Sequence, residues 1–269
     1  MNQSKKRIFL IQLLLKESAE YQDIVVSADE DGQRQLLRGL MNVRAPRHIG
    51  TDFLKMQDEY LQDEIAAKGI TDIDRMTPVQ PGIYLWQGDI TTLRCDAIVN
   101  AANSGMTGCY IPNHRCIDNA IHTYAGVELR LACEKLMERQ GYPEPTGQTK
   151  ITPAFNLPCK YVLHTVGPII KFRVTDHDRE QLASCYRSCL ELAAEKRLES
   201  VAFCCISTGE FRFPNEEAAR VAIQTVKDFL TEQTHVRKVI FNVFKNIDRE
   251  IYSRLLGADQ TAERSTRQC

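Results

Sequence analysis

The sequence predicts an α/β protein in which a mixed sheet is covered by helices on both faces and preceded by a small helical extension. The main observation is the alternation of strand-like and helix-like segments between residues 83 and 256, which is typical of a partly parallel sheet with helical crossovers. The second is the helical spacing of apolar residues up to about residue 75. The third is size, since 269 residues with 43% hydrophobic side chains suffice for one large domain and a smaller one.

Three helices are expected in the N-terminal extension, residues 1–75. Apolar side chains recur there at helical spacing, at Ile8, Ile11 and Leu15, at Leu36, Leu37, Leu40 and Met41, and at Leu54, Leu61 and Ile65. Thr51 is a candidate N-cap of the third helix, and Gly69 is a candidate for its end. Nothing in this stretch has the grouping of a catalytic site.

A joint between the extension and the main domain is expected at residues 76–82, which contain two prolines and a glycine. We expect the main domain to span residues 76–260 and a polar tail to span residues 261–269. The basic start of the chain is followed by an interrupted apolar stretch without a small-residue cleavage site, which argues against an export signal. We therefore expect a cytoplasmic protein whose ten cysteines are thiols or metal ligands rather than disulfides.

Charge and hydropathy exclude two classes of partner. Lys and Arg number 34 against 35 for Asp and Glu, a formal net charge of -1, so a broad surface that tracks nucleic-acid phosphates is not expected. No apolar run approaches the roughly 20 residues that a membrane helix needs. We expect neither nucleic acid nor a membrane as a partner.

The main domain is expected to alternate strands with helices. Strand-like segments fall at 83–87, 97–100, around 151, 161–166, 201–206 and 239–243. Helix-like segments fall at 118–140, with a break at Gly126, and at 180–196, 216–229 and 249–256. Ligands of such sheets bind beyond the carboxyl ends of the strands, and the unusual residues of this sequence follow strands.

Polar residues come directly after three of these strands. Asp89, in Gly-Asp-Ile-Thr at 88–91, carries a carboxylate that could accept hydrogen bonds from an exocyclic amine, or could cap a turn or helix. Asn100 and Asn103 flank two alanines and could reach ligand hydroxyls, or form a turn. The backbone N–H groups of residues 206–214, which link a strand to a helix, could cradle a phosphate. That segment lacks the lysine of a nucleoside-triphosphatase loop, so ATP hydrolysis is disfavoured.

Taken in order, the motifs of this chain resemble those of a macrodomain. They are Gly-Asp-Ile-Thr at 88–91, Asp-Ala-Ile-Val-Asn-Ala-Ala-Asn at 96–103, Cys-Ile-Asp-Asn-Ala-Ile-His at 116–122, His-Thr-Val-Gly-Pro at 164–168 and Ser-Thr-Gly at 207–209. The resemblance extends over about residues 83–257 and is to the MacroD-type ADP-ribosyl hydrolases. It implies a three-layer α/β/α sandwich that binds ADP-ribose in a cleft at the strand ends.

The resemblance also implies binding roles for individual residues. By position, Asp89 would accept the adenine amine, Ile90 would supply a backbone contact and Asn103 would hold the distal ribose. Phe244 would stack on adenine, with an ordinary core role as an equal alternative. The diphosphate and distal ribose would be wrapped by Ser207, Thr208, Gly209, Glu210 and Phe211. Further members of the implied ADP-ribose site are Cys116, Ile117 and Asp118.

One stretch departs from the MacroD pattern. Where those enzymes carry a run of glycines, this chain has Cys109, His114 and Cys116. Thiolate and imidazole are ligands that Zn²⁺ prefers, and three ligands leave one position open, as in catalytic zinc sites. Three unrelated loop residues are the alternative. The chain also resembles the zinc-containing macrodomains of bacteria and fungi, helical extension included, and that likeness implies one Zn²⁺ per chain.

The expected function is a zinc-assisted hydrolase that removes mono-ADP-ribose from modified protein side chains. Asp118 matches the Asp that MacroD-type hydrolases need, so Asp118 and Asn103 are the expected catalytic residues, and Asp118 could cap a helix as well. One alternative is a reader that binds ADP-ribose without cleaving it and whose zinc is structural. Another is an unrelated zinc hydrolase such as a deaminase, but the sequence has neither the His-x-Glu nor the Cys-x-x-Cys motif of that class. His122 and His164 are expected to be core histidines.

The expected partners follow from the resemblance as well. Bacterial zinc macrodomains are associated with a macrodomain-linked sirtuin that ADP-ribosylates a lipoylated carrier protein of the glycine-cleavage type. The resemblance therefore implies ADP-ribose and a mono-ADP-ribosylated protein as partners, with such a carrier as one candidate. The N-terminal helices would then offer a docking surface for the carrier.

Overall fold

The computed structural model describes residues 1–21, 23–232 and 234–257, so the tail expected from residue 261 lies outside the described residues. Three helices form the N-terminal region, α1 (Gln3–Leu15), α2 (Glu30–Val43) and α3 (Thr51–Lys68). Asn2 and Asp29 cap the first two, each through a side-chain oxygen that accepts a backbone N–H bond. All three helices fall where the apolar spacing predicts them.

The start of α3 corrects one expectation. The N-cap is Gly50, which has extended backbone, whereas Thr51 is already the first helical residue and does not cap the helix. Gly69 does end the helix, at φ 88°, in the left-handed region that favours glycine.

The rest of the chain alternates strands with helices. The elements are β1 (Thr71–Asp72), β2 (Ile83–Gln87), β3 (Leu93–Arg94), β4 (Ala97–Ala102), α4 (Ile117–Ala125), α5 (Val127–Gln140), β5 (Thr149–Pro153), β6 (Tyr161–Val166), α6 (Asp176–Glu195), β7 (Ser200–Phe203), α7 (Asn215–Leu230), β8 (Lys238–Val243) and α8 (Asn246–Leu256). The helix break expected at Gly126 is confirmed. There a side chain would collide with Gln57 of α3, whose Oε1 accepts the Val127 N–H at 2.8 Å.

Six strands form one mixed sheet in the order β2-β8-β7-β4-β6-β5. Every neighbouring pair is parallel except β5 with β6, which is antiparallel. Ala97, Ile98 and Val99 of the central β4 are fully buried, as expected for a strand covered on both faces. The sheet therefore confirms the expected α/β/α arrangement, and its parallel strands end along a common edge.

Two details of the strands differ from the sequence prediction. β7 ends at Phe203, so Cys204 and Cys205 lie in the following loop instead of a strand reaching residue 206. β1 and β3 form a separate parallel pair that the sequence does not reveal, because two-residue strands carry no measurable periodicity.

Apolar packing divides into a large core around the sheet, a second core mainly among α1, α2 and α3, and a small third cluster of Ala102, Met106 and Val166. Val127 of α5 belongs to the second core, so the helical region packs directly on the α/β part of the chain. The proposed boundary at residue 75 stays a prediction. Within the described ranges, no helix is both long enough and apolar enough to cross a membrane.

Candidate functional site

The carboxyl ends of β2 and β8 bring Asp89 and Phe244 to one edge of the sheet. The two strands pair in parallel with Gln87 opposite Val243, and Gln87 Nε2 donates to the Phe244 carbonyl at 3.2 Å. Phe244 is 76% exposed, which excludes the core alternative for this aromatic ring. Ile90 is buried and begins the short 3₁₀ turn that Asp89 caps.

Asp89 is held by groups on both of its oxygens. Oδ1 accepts the backbone N–H and the hydroxyl of Thr91, at 3.0 and 2.6 Å. Oδ2 lies 2.9 Å from Nζ of Lys68, the last residue of α3, and that ammonium also sits 3.3 Å over the ring of Tyr124. Burial alone would raise the pKa of Asp89, but the bonds from Thr91 and Lys68 lower it below its usual value. Asp89 is therefore both a cap and an ion-paired carboxylate.

Asn103 and Asp118 meet beyond the end of β4. Asn103 Nδ2 donates to the Gly108 carbonyl at 3.1 Å and to Asp118 Oδ2 at 3.3 Å. Asp118 is the second residue of α4, where the helix N-terminus favours a negative charge. The N-cap of α4 is Cys116, whose Sγ accepts the Asn119 N–H at 3.4 Å, so the capping role considered for Asp118 is wrong.

Asp118 is a buried carboxylate, 5% exposed, without an ion-pairing lysine or arginine among the described residues. Asn100 Nδ2 donates to its Oδ1 at 2.8 Å, and His122 Nε2 lies 3.6 Å from the same oxygen. Burial raises the pKa of Asp118 to about 6, although the amides of Asn100 and Asn103 favour the charged form. A carboxyl group with such a pKa can exchange a proton near neutrality.

Asn100 is one of the residues whose expected role the structure corrects. It is fully buried and bonded to Asp118 and to His164 Nδ1, the latter at 3.2 Å, so its amide supports Asp118 and does not reach a ligand. Position explains the difference, because Asn100 lies inside β4 whereas Asn103 follows its end.

The two buried histidines behave differently from each other. His164 is a bonded core histidine, since its Nε2 also lies 2.9 Å from the Thr152 hydroxyl, and burial lowers its pKa to about 3. His122 is equally buried, but neither ring nitrogen has a hydrogen-bond partner among the residues described. Both lie near Cys133 in a group with ligand-type atoms. Because both His164 nitrogens are already bonded to Asn100 and Thr152, we do not assign this group as a metal site.

The metal loop, residues 107–116, brings the three expected ligands together. The ligand atoms of Cys109, His114 and Cys116 lie within 4.8 Å of one another, and Cys109 Sγ is 3.5 Å from His114 Nδ1. All three side chains are half-buried, so the group is open to an incoming ligand. Burial raises the pKa of the Cys116 thiol to about 12, so this thiol must release a proton when it binds a cation.

The loop formed by residues 204–214 approaches the metal loop. Glu210 Oε1 lies 3.8 Å from His114 Nε2, so the imidazole has one nitrogen toward Cys109 and the other toward a carboxylate. This pairing is typical of metal-bound histidines, whose second nitrogen is held by an acceptor. The Glu210 side chain is largely exposed, which makes the contact with His114 a weak one.

Ser207 is strained within the same loop. Its φ is 64°, and its buried hydroxyl has no hydrogen-bond partner in the described part of the chain. Gly167 makes room for it, since a Cβ at residue 167 would come within 2.0 Å of Ser207 Oγ. At Gly209, by contrast, a Cβ would meet nothing within 4 Å, so open space faces this part of the loop. Thr208 and Phe211 are half-buried and Gly209 is exposed.

Sequence reasoning missed two residues of the site. Lys68 lies 21 positions before its partner Asp89 and on another element, so no local pattern connects them. His122 had one signal, its position four residues after Asp118 on a helix, which places both side chains on one face.

A parallel strand edge that gathers a carboxylate, an amide and a loop leading into a helix is typical of ligand-binding α/β domains. The model of the macro domain family matches residues 99–222. A protein-ADP-ribose hydrolase from Treponema medium is 55% identical over 261 residues, covering 96% of this chain and all of the relative. One from Staphylococcus aureus is 43% identical over 96% of this chain and 98% of its own length. The structure of a mutant Oceanobacillus iheyensis macrodomain with ADPR shares 38% identity and a TM-score of 0.61, covering 68% of this chain and 96% of that one. The chain belongs to the macrodomain family, among the relatives named protein-ADP-ribose hydrolase.

Proposed function

We propose that this protein is a zinc-dependent hydrolase of MacroD type, which removes mono-ADP-ribose from modified protein side chains. The observation that carries the proposal is the meeting of Asn103 and the buried Asp118, two residues after the metal-loop cysteine Cys116. The names of the similar relatives support the reaction class.

Different residues at the strand ends would bind different parts of ADP-ribose. Asp89 and the exposed ring of Phe244 would receive adenine at the ends of β2 and β8. Loop 204–214 would enclose the diphosphate. The open space at Gly209 would give the diphosphate room, and the unbonded hydroxyl of Ser207 would offer it a hydrogen-bond donor. The distal ribose would lie against Asn103 and Asp118.

The reacting bond joins C1 of the distal ribose to the modified side chain. Its cleavage passes through an oxocarbenium-like state, releases that side chain and leaves C1 bonded to the oxygen of water. Asp118 Oδ1 is held by Asn100, and Oδ2 contacts Asn103, so the carboxylate has one fixed orientation. With its pKa raised to about 6 by burial, Asp118 is ionised at neutral pH and basic enough to take a proton from water at Oδ2. Asn103 fixes both the sugar and the carboxylate, which places the attacking water.

The donor set of the metal loop fits Zn²⁺. Two sulfurs and one imidazole nitrogen are borderline and soft ligands, and they lie close enough together for one ion. Cys109, His114 Nδ1 and Cys116 would hold it. When bound, zinc would supply a Lewis acid beside the distal ribose.

The first test is the metal content and turnover of the purified protein. We expect about one zinc per chain, release of ADP-ribose from a mono-ADP-ribosylated protein, and loss of turnover without loss of ADP-ribose binding after chelation. Cys116→Ala should remove the metal and most turnover, whereas Cys159→Ala, which alters a buried thiol elsewhere, is the matched control. Full zinc content in Cys116→Ala would refute the ligand assignment.

A second candidate function is a reader that binds ADP-ribose without cleaving it. The observation that favours it is the ligand edge itself, because Asp89, loop 204–214 and Phe244 would suffice for binding. ADP-ribose binding with no release at any metal content would establish the reader.

The substrate is proposed to be an ADP-ribosylated protein, with a lipoylated carrier of the glycine-cleavage type as one candidate. Comparing release from a modified carrier with release from an unrelated automodified transferase tests that candidate. Equal kcat/KM for the two would exclude selectivity for the carrier.

A further inference from the structure

Arg38 of α2 forms hydrogen bonds to the C-terminal half of the metal loop and to Asn119, just after it. Its Nη2 donates to the His114 carbonyl at 3.1 Å, and Nε and Nη2 both donate to Asn119 Oδ1, at 3.1 and 2.7 Å. Asn119 in turn donates from Nδ2 to the Ile111 carbonyl at 3.0 Å, and its backbone N–H bonds to Cys116 Sγ. The Arg38 guanidinium therefore bonds the backbone of one expected ligand, His114. Through Asn119 it also supports a contact with the sulfur of another, Cys116.

Asn42 and Gly39 hold the middle of the metal loop against the same helix. Asn42 Oδ1 accepts the Asn113 N–H at 3.0 Å, and Asn42 Nδ2 donates to the Thr123 hydroxyl of α4 at 3.0 Å. Asn113 has φ 55°, a conformation that needs such support in most residues. A Cβ at Gly39 would lie 3.3 Å from Asn113 Nδ2, so this helical glycine permits the loop to approach closely.

Arg130 of α5 joins the N-terminal half of the loop to the end of α2. Nη1 donates to the carbonyls of Asn42 and Arg44, at 2.7 and 2.6 Å, where helix carbonyls lack helical partners. Nε donates to the Thr107 carbonyl at 2.7 Å, and Nη2 lies 3.4 Å from the Cys109 carbonyl. Arg130 is 5% exposed as a whole residue, so these bonds are largely shielded from water.

We infer that α2 is a positioning element of the metal site, which holds the metal loop in a ligand-ready arrangement before a cation binds. The inference rests on the metal site of the proposed function. Each expected ligand is connected to α2, His114 and Cys116 through Arg38 and Cys109 through Arg130. A loop held in advance loses less conformational entropy on binding, which strengthens affinity without adding a ligand. On this inference α2 supports the metal site, in addition to any docking role of the N-terminal helices.

The test compares two variants of α2 with a matched control on the same helix. Arg38→Gln removes the guanidinium hydrogen bonds to the His114 carbonyl and to Asn119 Oδ1. Asn42→Ala removes the hydrogen bonds to Asn113 and Thr123. Arg34→Gln is the control, because Arg34 lies one turn earlier and bonds Glu30 and Asp31 within α2. The measurements are the zinc dissociation constant, by competition with a chromogenic chelator, and hydrogen exchange of residues 107–116 in metal-free protein.

We expect Arg38→Gln and Asn42→Ala to weaken zinc binding about 10- to 100-fold and to accelerate exchange of the loop amides, with Arg34→Gln unchanged. Arg38→Lys should give an intermediate loss, since an ammonium cannot bond both acceptors in the fork geometry of Arg. That variant also preserves the charge if Arg38→Gln folds poorly. Zinc affinity and loop exchange equal to those of Arg34→Gln would overturn the inference.

The outcome for the proposed hydrolysis is separate. Wild-type protein that binds zinc but releases no ADP-ribose would refute hydrolysis, while the α2 variants would still decide this inference. Wild-type protein that binds no zinc would overturn the metal site and the inference together.

Discussion

The two ends of the strand-end site present the same side chain in opposite surroundings. At the β2 end, Asp89 is about one-third exposed and paired with Lys68. At the β4 end, Asp118 is buried and bonded to the neutral amides of Asn100 and Asn103. The pKa of Asp89 is lowered by its partners in spite of burial, whereas burial raises the pKa of Asp118 to about 6.

This difference shows that the surroundings of a carboxylate, not its residue type, would suit Asp89 to the proposed recognition of the ligand and Asp118 to the proposed reaction. A permanently ionised carboxylate such as Asp89 is suited to accept hydrogen bonds, because its charge does not change near neutrality. A carboxylate that titrates near pH 6, such as Asp118, can pick up and release a proton. Variants that affect binding at one end and turnover at the other would sharpen the comparison.

Asp118→Ala should have the largest effect, a fall in kcat of about 10²- to 10⁴-fold, because it removes the proposed base. The measurement is the release of ADP-ribose from a modified protein at saturating substrate. ADP-ribose affinity by calorimetry is the control, and it should change little. Full activity of the variant would remove Asp118 from the mechanism.

Substitution by asparagine should give stability changes of opposite pH dependence at the two ends. Because burial raises the pKa of Asp118 to about 6, this carboxylate costs the fold more and more stability between about pH 4 and pH 6, so in metal-free protein the stability of Asp118→Asn relative to the wild type should rise over this range and level off above it. Asp89→Asn should destabilise the fold at neutral pH, and the loss should shrink below about pH 4 as wild-type Asp89 takes up its proton. Urea unfolding across this pH range measures both, and parallel curves would contradict the comparison.

The sequence predicts the sheet elements well because their apolar periodicity is local. Strands β2 and β6 match their predicted bounds, and the Cys109–His114–Cys116 cluster is predicted from residue types and spacing together with the macrodomain resemblance. The rest depends on contacts between distant segments. Lys68 meets Asp89 only through the packing of α3, and Arg38 meets His114 across 76 positions of sequence. No local pattern encodes such pairs.

The burial of Asn100 marks another limit of sequence reasoning. Asn100 and Asn103 look equivalent in the motif, yet only Asn103 lies beyond the strand. Predicting which amide faces the ligand requires the exact residue at which β4 ends, and strand ends are the least certain part of a periodicity argument.

Asp89→Ala should weaken ADP-ribose binding about 10- to 100-fold, the range expected for losing hydrogen bonds to a charged acceptor. The effect should disappear for ribose 5-phosphate, which lacks adenine. Asp52→Ala, an exposed carboxylate at the start of α3, removes the same charge and is the control. An unaltered dissociation constant for ADP-ribose would return Asp89 to a purely capping role.

Lys68→Met should have the smallest effect, a gain of at most about fivefold in ADP-ribose affinity. Lys68 Nζ lies 2.9 Å from Asp89 Oδ2, so an adenine amine bound as proposed would have to share or displace it, and exposed ion pairs contribute only about 0–1 kcal/mol. Lys55→Met removes the same charge from an exposed position of α3 and is the matched control. Tighter binding in Lys68→Met alone would show competition between the lysine and adenine for Asp89. Weaker binding would instead mean that Lys68 itself contacts the ligand, and the β2 end of the site would then recognise it through a cation as well as a carboxylate.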